Sequence, residues 1–372
     1  MHPSTTIGPR GLPISYQIRD ITVSPAVVLA PMEGVTNITF RRLIRELGGP
    51  GLTCTEFIPS EGLRAGNKVS KLAEFDPDER PVSVQIFGRR PAGMAEAARI
   101  IEDMGADICD INMGCPSKRV CARSGGSALM KEPRLAADIV AAVRAAISIP
   151  LTVKMRSGFD ATNRNAPELA WMCQEEGAEA IAIHWRTRDD RYGGQRQVDK
   201  IAEAVQRVSV PVIGNGDVID VPSAVAMLQQ TGCDGVMVGR GAMRNPWSLL
   251  QIAQHLRGED VVSVTADERR RALLAFLSRF HATFRHERAA LGRFKQIAKH
   301  FTADLPDGEV FRKLLLRSAT IDEVIGHTED YFSTWSPDEL MPLSSPSAAQ
   351  QAPAGSPQKA SRSSSPPGAA AC

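Results

Sequence analysis

Between Val27 and Leu250, short apolar runs alternate eight times with amphipathic stretches, and this alternation restricts the fold more than any other feature of the chain. The runs are Val27 to Ala30, Leu52 to Thr55, Val82 to Phe87, Ile108 to Ile111, Leu151 to Val153, Ala180 to Ile183, Val210 to Ile213 and Gly235 to Val238. Short runs of this kind read as parallel strands buried on both faces and joined by crossover helices. The intervening stretches Ala92 to Met104, Arg134 to Ile147 and Pro167 to Glu176 place apolar residues at helical spacing, and Gly105 and Gly177 stand where helix C-terminal caps belong. Eight such units in series predict an α/β fold closed as a (β/α)8 TIM barrel. The competing doubly wound open sheet calls for a GxGxxG turn after the first strand. That turn here reads Ala30-Pro31-Met32-Glu33-Gly34-Val35, with one glycine.

The barrel domain is expected over residues 27–260, after an N-terminal extension over 1–26. From Thr265 to Trp335 the pattern turns helical throughout, with Arg269 to Phe280, His286 to Phe301 and Phe311 to Ser318 as expected helices of a small all-α domain over 261–335. Residues 336–372 are rich in Pro, Ser, Ala and Gln and read as a disordered tail, too poor in apolar side chains to offset the entropy of ordering. With 43% hydrophobic residues, and 44 Lys and Arg against 42 Asp and Glu, the chain is neither wholly disordered nor a polybasic tail protein. It has no apolar run approaching the ~20 residues of a membrane span and no signal-peptide core, so a cytoplasmic protein without membrane contact is expected. Its seven scattered cysteines read as reduced thiols. A net charge of +2 is too mild to identify a nucleic-acid partner by itself.

Barrel enzymes carry their chemistry at the C-terminal strand ends. There the sequence offers Pro31-Met32-Glu33, Glu56, Gln85, Asn112 with Cys115, Lys154-Met155-Arg156, His184, Asn215-Gly216-Asp217 and Gly239-Arg240. The glycine turns after strands seven and eight suit a phosphate cradle, because backbone N–H groups there can approach an anion. Cys115, in a Gly-Cys-Pro turn, has the chemistry of an acid, a nucleophile or a ligand. Cys109, Cys115 and Cys121 lack the CxxC pairing of a zinc site, so no metal is expected, and Cys109 reads as core. Lys154 is either a paired structural lysine or a cation for an electron-rich cofactor, and His184 either a core histidine or a site residue. In the helical region Arg285, Arg288, Arg293, Lys295 and Lys299 face a single acid, Glu287, which suits either a solvated face or an RNA-phosphate patch.

Taken together, Ala30-Pro31-Met32-Glu33-Gly34-Val35-Thr36, Val84-Gln85-Ile86-Phe87-Gly88, Asp110-Ile111-Asn112-Met113-Gly114-Cys115-Pro116, Val153-Lys154-Met155-Arg156, Ile183-His184, Gly214-Asn215-Gly216-Asp217 and Gly239-Arg240-Gly241 closely resemble the tRNA-dihydrouridine synthase family over about Val27 to Phe332. The resemblance implies FMN at the barrel mouth, NADPH as reductant, and reduction of the C5=C6 bond of selected uridines in tRNA. It implies Cys115 as general acid. It implies that Pro31, Met32, Glu33, Gln85, Lys154, His184, Asn215, Gly216, Asp217, Gly239 and Arg240 hold the cofactor. Asn112, Arg156 and Arg186 fall on the substrate side, and the helical domain with Arg293, Lys295 and Lys299 on the RNA. A monomer is expected. Two departures stand out: Trp185 follows His184 where many relatives have glycine, and Cys121 adds a thiol to the Cys115 loop, which suggests slight redox sensitivity. Two rivals are a dihydroorotate dehydrogenase-like barrel acting on a free pyrimidine, and an RNA-binding or chaperone protein that has lost catalysis.

Overall fold

The computed structural model describes residues 2–65, 68–121, 125–191 and 193–341. Eight parallel strands hydrogen-bond in sequence order: β1 (Val27–Leu29), β2 (Leu52–Cys54), β3 (Val82–Phe87), β4 (Ile108–Met113), β5 (Leu151–Arg156), β6 (Ala180–His184), β7 (Val212–Asn215) and β8 (Gly235–Val238). The last strand pairs with the first through Val236 with Val27 and Val238 with Leu29, closing the barrel and excluding the open sheet. Helices over Pro91–Asp103, Pro133–Arg144 and Ala166–Glu175 cover it where the periodicity placed them. Gly105 and Gly177 follow the first and third of these at φ +82° and +98°, the left-handed geometry that ends a helix without a Cβ clash.

Strand alternation sorts the side chains into two cores. Cys109, Ile111, Val153, Ile183 and Val238 point out and pack under the helices, whereas Val28, Leu52, Ile108, Ala180, Ile213 and Met237 point into the barrel. The extension at 1–26 does more than lead into the barrel. Its strands Thr6–Ile7, Pro13–Ile18 and Ile21–Val23 form an antiparallel sheet whose Tyr16 and Ile18 close the barrel floor against those inward residues. Buried Asp234 ties it down, accepting from the His2 N–H (2.6 Å), the Thr5 hydroxyl (2.6 Å) and the Val212 N–H (2.9 Å).

The helical region has four helices among the described residues, Ala266–Thr283, Glu287–Phe301, Gly308–Arg317 and Ile321–Phe332. The first opens with a capping box between Thr265 and Glu268. The fourth, not singled out from the sequence, is capped by the Thr320 hydroxyl, which accepts from the Glu323 N–H. The chain stays packed past the expected boundary at 336: Leu340 bridges to Thr265, and Met341 is buried. The remainder of the expected tail, 342–372, lies outside the described residues.

Candidate active site

On β4 and β5 the alternation continues beyond the apolar runs, so the inward residues become polar toward the mouth. Gln85 pairs in register with Asp110, Asp110 with Thr152, and Asn112 with Lys154. Ala182 pairs with Lys154, and His184 with Arg156 and Asn215. Asn112, Lys154 and Arg156 therefore sit on strands, not in the loops beyond them, and their directions are fixed by the sheet. Asp110 accepts from Gln85 Nε2 (2.5 Å) and from the Thr152 hydroxyl (2.5 Å), while Gln85 Oε1 accepts from Asn112 Nδ2 (2.7 Å). Gln85, expected on the cofactor, is fully buried and engaged at both ends of its amide, so a ligand reaches it only if this network rearranges.

The Lys154 ammonium makes no hydrogen bond among the described residues. Burial, then the neighbouring Arg156 charge, pull its pKa from 10.5 to about 8, with Asp110 opposing. His184 is pushed well below the usual imidazole range by burial and by Arg156, Lys154, Arg186 and Arg240. Its Nδ1 accepts from the Arg186 N–H (3.1 Å), so the neutral ring carries its proton on Nε2, which has no acceptor among the described residues.

Cys115 lies in a turn pinned by Asn112 Oδ1, which accepts from the N–H groups of Gly114 (3.1 Å) and Cys115 (2.9 Å). The Cys115 carbonyl accepts from the Ser127 N–H (3.1 Å) and hydroxyl (2.9 Å). Its side chain packs against Phe57, Phe87 and Val120. Burial raises the thiol to about 11, with Glu33 adding to the effect and Arg156 opposing it. Cys121 is a free thiol like Cys115, with Sγ 3.4 Å from the Ser127 hydroxyl and 3.5 Å from the Cys115 carbonyl oxygen.

At the far side of the mouth Gly216 has φ +108°, and a Cβ there would meet Trp185 Cδ1 at 2.5 Å and His184 Cε1 at 3.0 Å. Trp185, the departure seen in the sequence, thus packs under this turn. Asp217 joins Arg186 (2.8 Å) and Arg240 (3.2 Å), and the Arg186 guanidinium also stacks 4.1 Å over Trp185. Asn215 Nδ2 donates to the Met237 carbonyl (2.8 Å). The β1 loop comes close to the β8 turn, since a Cβ on Gly239 would stand 3.8 Å from Met32 Sδ. Pro31 and Met32 are half-buried and Glu33 is exposed beside them. The Gly34 peptide is held from both sides: its N–H donates to buried Glu56 (2.5 Å) and its carbonyl accepts from Arg293 Nη1 (2.8 Å).

Several cations expected on the substrate prove to be engaged by the protein itself. Arg156 donates to the Gly114 carbonyl (2.8 Å) and the Thr187 carbonyl (2.7 Å), Arg186 holds Asp217, and Arg293 holds Gly34. Lys295 donates to the Ser318 carbonyl (2.7 Å). Arg285, Arg288 and Lys299 are exposed. Sequence reasoning passed over Asp110 and Thr152, although their inward register beside Lys154 follows from the strand alternation. It named Glu56 as a strand-end residue without giving it a role. No group of three or more His, Cys, Asp or Glu able to hold a metal occurs among the described residues, and no helix among them is long and apolar enough to cross a membrane.

A closed barrel whose inner face turns polar at one end, with a cation, a neutral imidazole and a thiol on a shared rim, is the framework of a barrel enzyme. The family model for dihydrouridine synthase (Dus) matches residues 28–334. The chain is 38% identical over 321 residues to tRNA-dihydrouridine synthase B of Pseudomonas syringae pv. tomato, covering 86% of this chain and 95% of that protein. It is 44% identical over 248 residues to a probable tRNA-dihydrouridine synthase of Rhodobacter capsulatus, covering 66% and 76%. The chain therefore belongs to the dihydrouridine synthase family and is an oxidoreductase. Among solved structures it resembles 2-naphthoyl-CoA reductase in complex with 2-naphthoyl-CoA, with a TM-score of 0.50 and 13% identity over 66% of this chain and 52% of that one, a likeness of fold alone.

Proposed function

We propose that this protein is a flavin-dependent tRNA-dihydrouridine synthase that uses FMN and NADPH to reduce the C5=C6 bond of a uridine in tRNA. The observation that carries the reading is a pair of donors at one mouth, the Lys154 ammonium and His184 Nε2–H, neither meeting an acceptor among the described residues. With Arg156 and Arg240 adding positive charge, the mouth suits an anionic, acceptor-rich ligand, and a flavin phosphate with its pyrimidine edge has that chemistry. When bound, a flavin would supply hydride chemistry at this mouth, with NADPH as the source of the hydride and uracil C6 as its destination.

The chain's own residues do the rest. Lys154 balances negative charge on the pyrimidine edge of the flavin. His184, the Asn215-Gly216-Asp217 turn and Gly239-Arg240 hold its ribityl phosphate, and Pro31, Met32 and Glu33 line the ring. Cys115 protonates uracil C5. A thiol near 11 stays protonated at neutral pH, so it serves as an acid toward a strongly basic carbon and not as a resting thiolate nucleophile. The thiolate left behind faces Arg156, whose charge favours it. Asn112 orients the turn that carries the thiol, and the exposed Arg285, Arg288 and Lys299 meet RNA phosphates. The uridine must leave its stack to enter the mouth.

Purified protein should carry visible flavin absorbance and form dihydrouridine in unmodified tRNA with NADPH, and Cys115→Ala should keep the flavin while losing most turnover. Colourless protein that takes up no riboflavin phosphate overturns the reading. NADPH oxidation equal with free uracil and with tRNA favours the free-pyrimidine rival, and tRNA binding without product favours the binding protein.

A further inference from the structure

We infer that Asp110 is a positioning residue for the Cys115 turn, acting through a one-directional relay of amide hydrogen bonds between β3 and β4. The inference rests on the proposed role of Cys115 for its meaning, but not for its geometry. Reading from the turn, the N–H groups of Gly114 and Cys115 can only donate, so Asn112 must present Oδ1 to them and Nδ2 to its other neighbour. Asn112 Nδ2 then requires Gln85 Oε1, which sends Gln85 Nε2 to Asp110 Oδ2. An ionised carboxylate can only accept, and the second oxygen of Asp110 accepts from Thr152. Both ends of the chain thus demand the same orientation of two amides that would otherwise be free to flip. Asp110, Gln85 and Asn112 are all buried, so bulk water does not supply a missing partner.

Asp110→Asn keeps the shape and still presents an oxygen to Gln85, because the Thr152 hydroxyl can accept from the new NH2 group as well as donate. Asp110→Leu instead leaves Gln85 Nε2 without an acceptor in a buried position, so Gln85 no longer holds its oxygen on Asn112 and the turn loses its brace. A role in packing alone gives Asp110→Asn no advantage over Asp110→Leu.

The test is the rate of iodoacetamide alkylation at Cys115 in the full chain, read by peptide mass spectrometry with Cys121 as internal comparator. It needs neither flavin nor tRNA, so it stands even if the proposed reaction fails. Loosening the turn by one buried hydrogen bond's worth should speed alkylation of Asp110→Leu about tenfold, and Asp110→Asn should stay within about threefold of wild type. An unchanged rate in Asp110→Leu, or an Asp110→Asn variant as fast as it, overturns the inference. If Asp110→Leu yields no soluble protein, a soluble Asp110→Asn variant with a near wild-type rate supports the relay, and a fast or insoluble one refutes it.

Discussion

Replacing Lys154 with methionine should stabilise the flavin-free protein while weakening its hold on the cofactor. The ammonium is withdrawn from water without a hydrogen-bond acceptor, and its pKa falls from 10.5 to about 8, with burial the largest cause and Arg156 next. A gap of about 2.5 units at ~1.36 kcal/mol each makes the charged side chain cost about 3 kcal/mol at pH 7, an upper value because it is partly exposed. The sign follows from proton linkage. Between about pH 8 and 10.5 the unfolded chain binds a proton that the folded one has released, so stability rises with pH across that window, while below pH 8 the full cost is carried. Asp110 loses a neighbouring cation in the variant, which offsets part of the gain. Urea unfolding at pH 7 should therefore find Lys154→Met more stable by about 1–3 kcal/mol, with most of the difference gone by pH 10. A variant no more stable than wild type at pH 7, with a gap that does not move with pH, would refute the reasoning.

Alkylation of Cys115 in wild type should keep accelerating beyond pH 9, toward its pKa of about 11, and a plateau near pH 9 would show the thiol to be unburdened by its apolar surroundings. His184 is already neutral at pH 6.5, so flavin retention should show no step from it between pH 6.5 and 7.5, and a protonation step there by NMR would contradict the environment described. Gly216→Ala, which places a Cβ 2.5 Å from Trp185 at φ +108°, should cost about 1–3 kcal/mol of stability and release flavin, measured by thermal unfolding and by absorbance after gel filtration. Alanine at exposed Arg285, Arg288 and Lys299 should weaken tRNA binding and flatten its salt dependence by about one unit of slope per lost phosphate contact. An unchanged slope would remove that face from the RNA interface.

Much of the barrel was legible because each strand carries a compact apolar run. The upper ends of β4 and β5 were not, since Asn112, Lys154 and Arg156 point inward at a polar layer, and polar residues after an apolar run read as loop. The site residues were legible as types and positions, but not in their partners. Arg156, Arg186 and Lys295 appear in sequence as cations awaiting a substrate, yet all three donate to backbone carbonyls, and Arg186 also holds Asp217. A carbonyl acceptor leaves no mark in a sequence. Cys115 was singled out for its turn, but the apolar contact with Phe57 and Phe87, which raises its pKa and sets its chemistry, joins residues far apart along the chain.

The family match begins at residue 28, yet the strand that supplies Tyr16 lies before it and fills the end of the barrel away from the chemistry. A recombinant protein trimmed to the family boundary would expose an apolar interior to water. For expression work, a fragment that keeps the strands from Thr6 to Val23 keeps that end of the barrel covered.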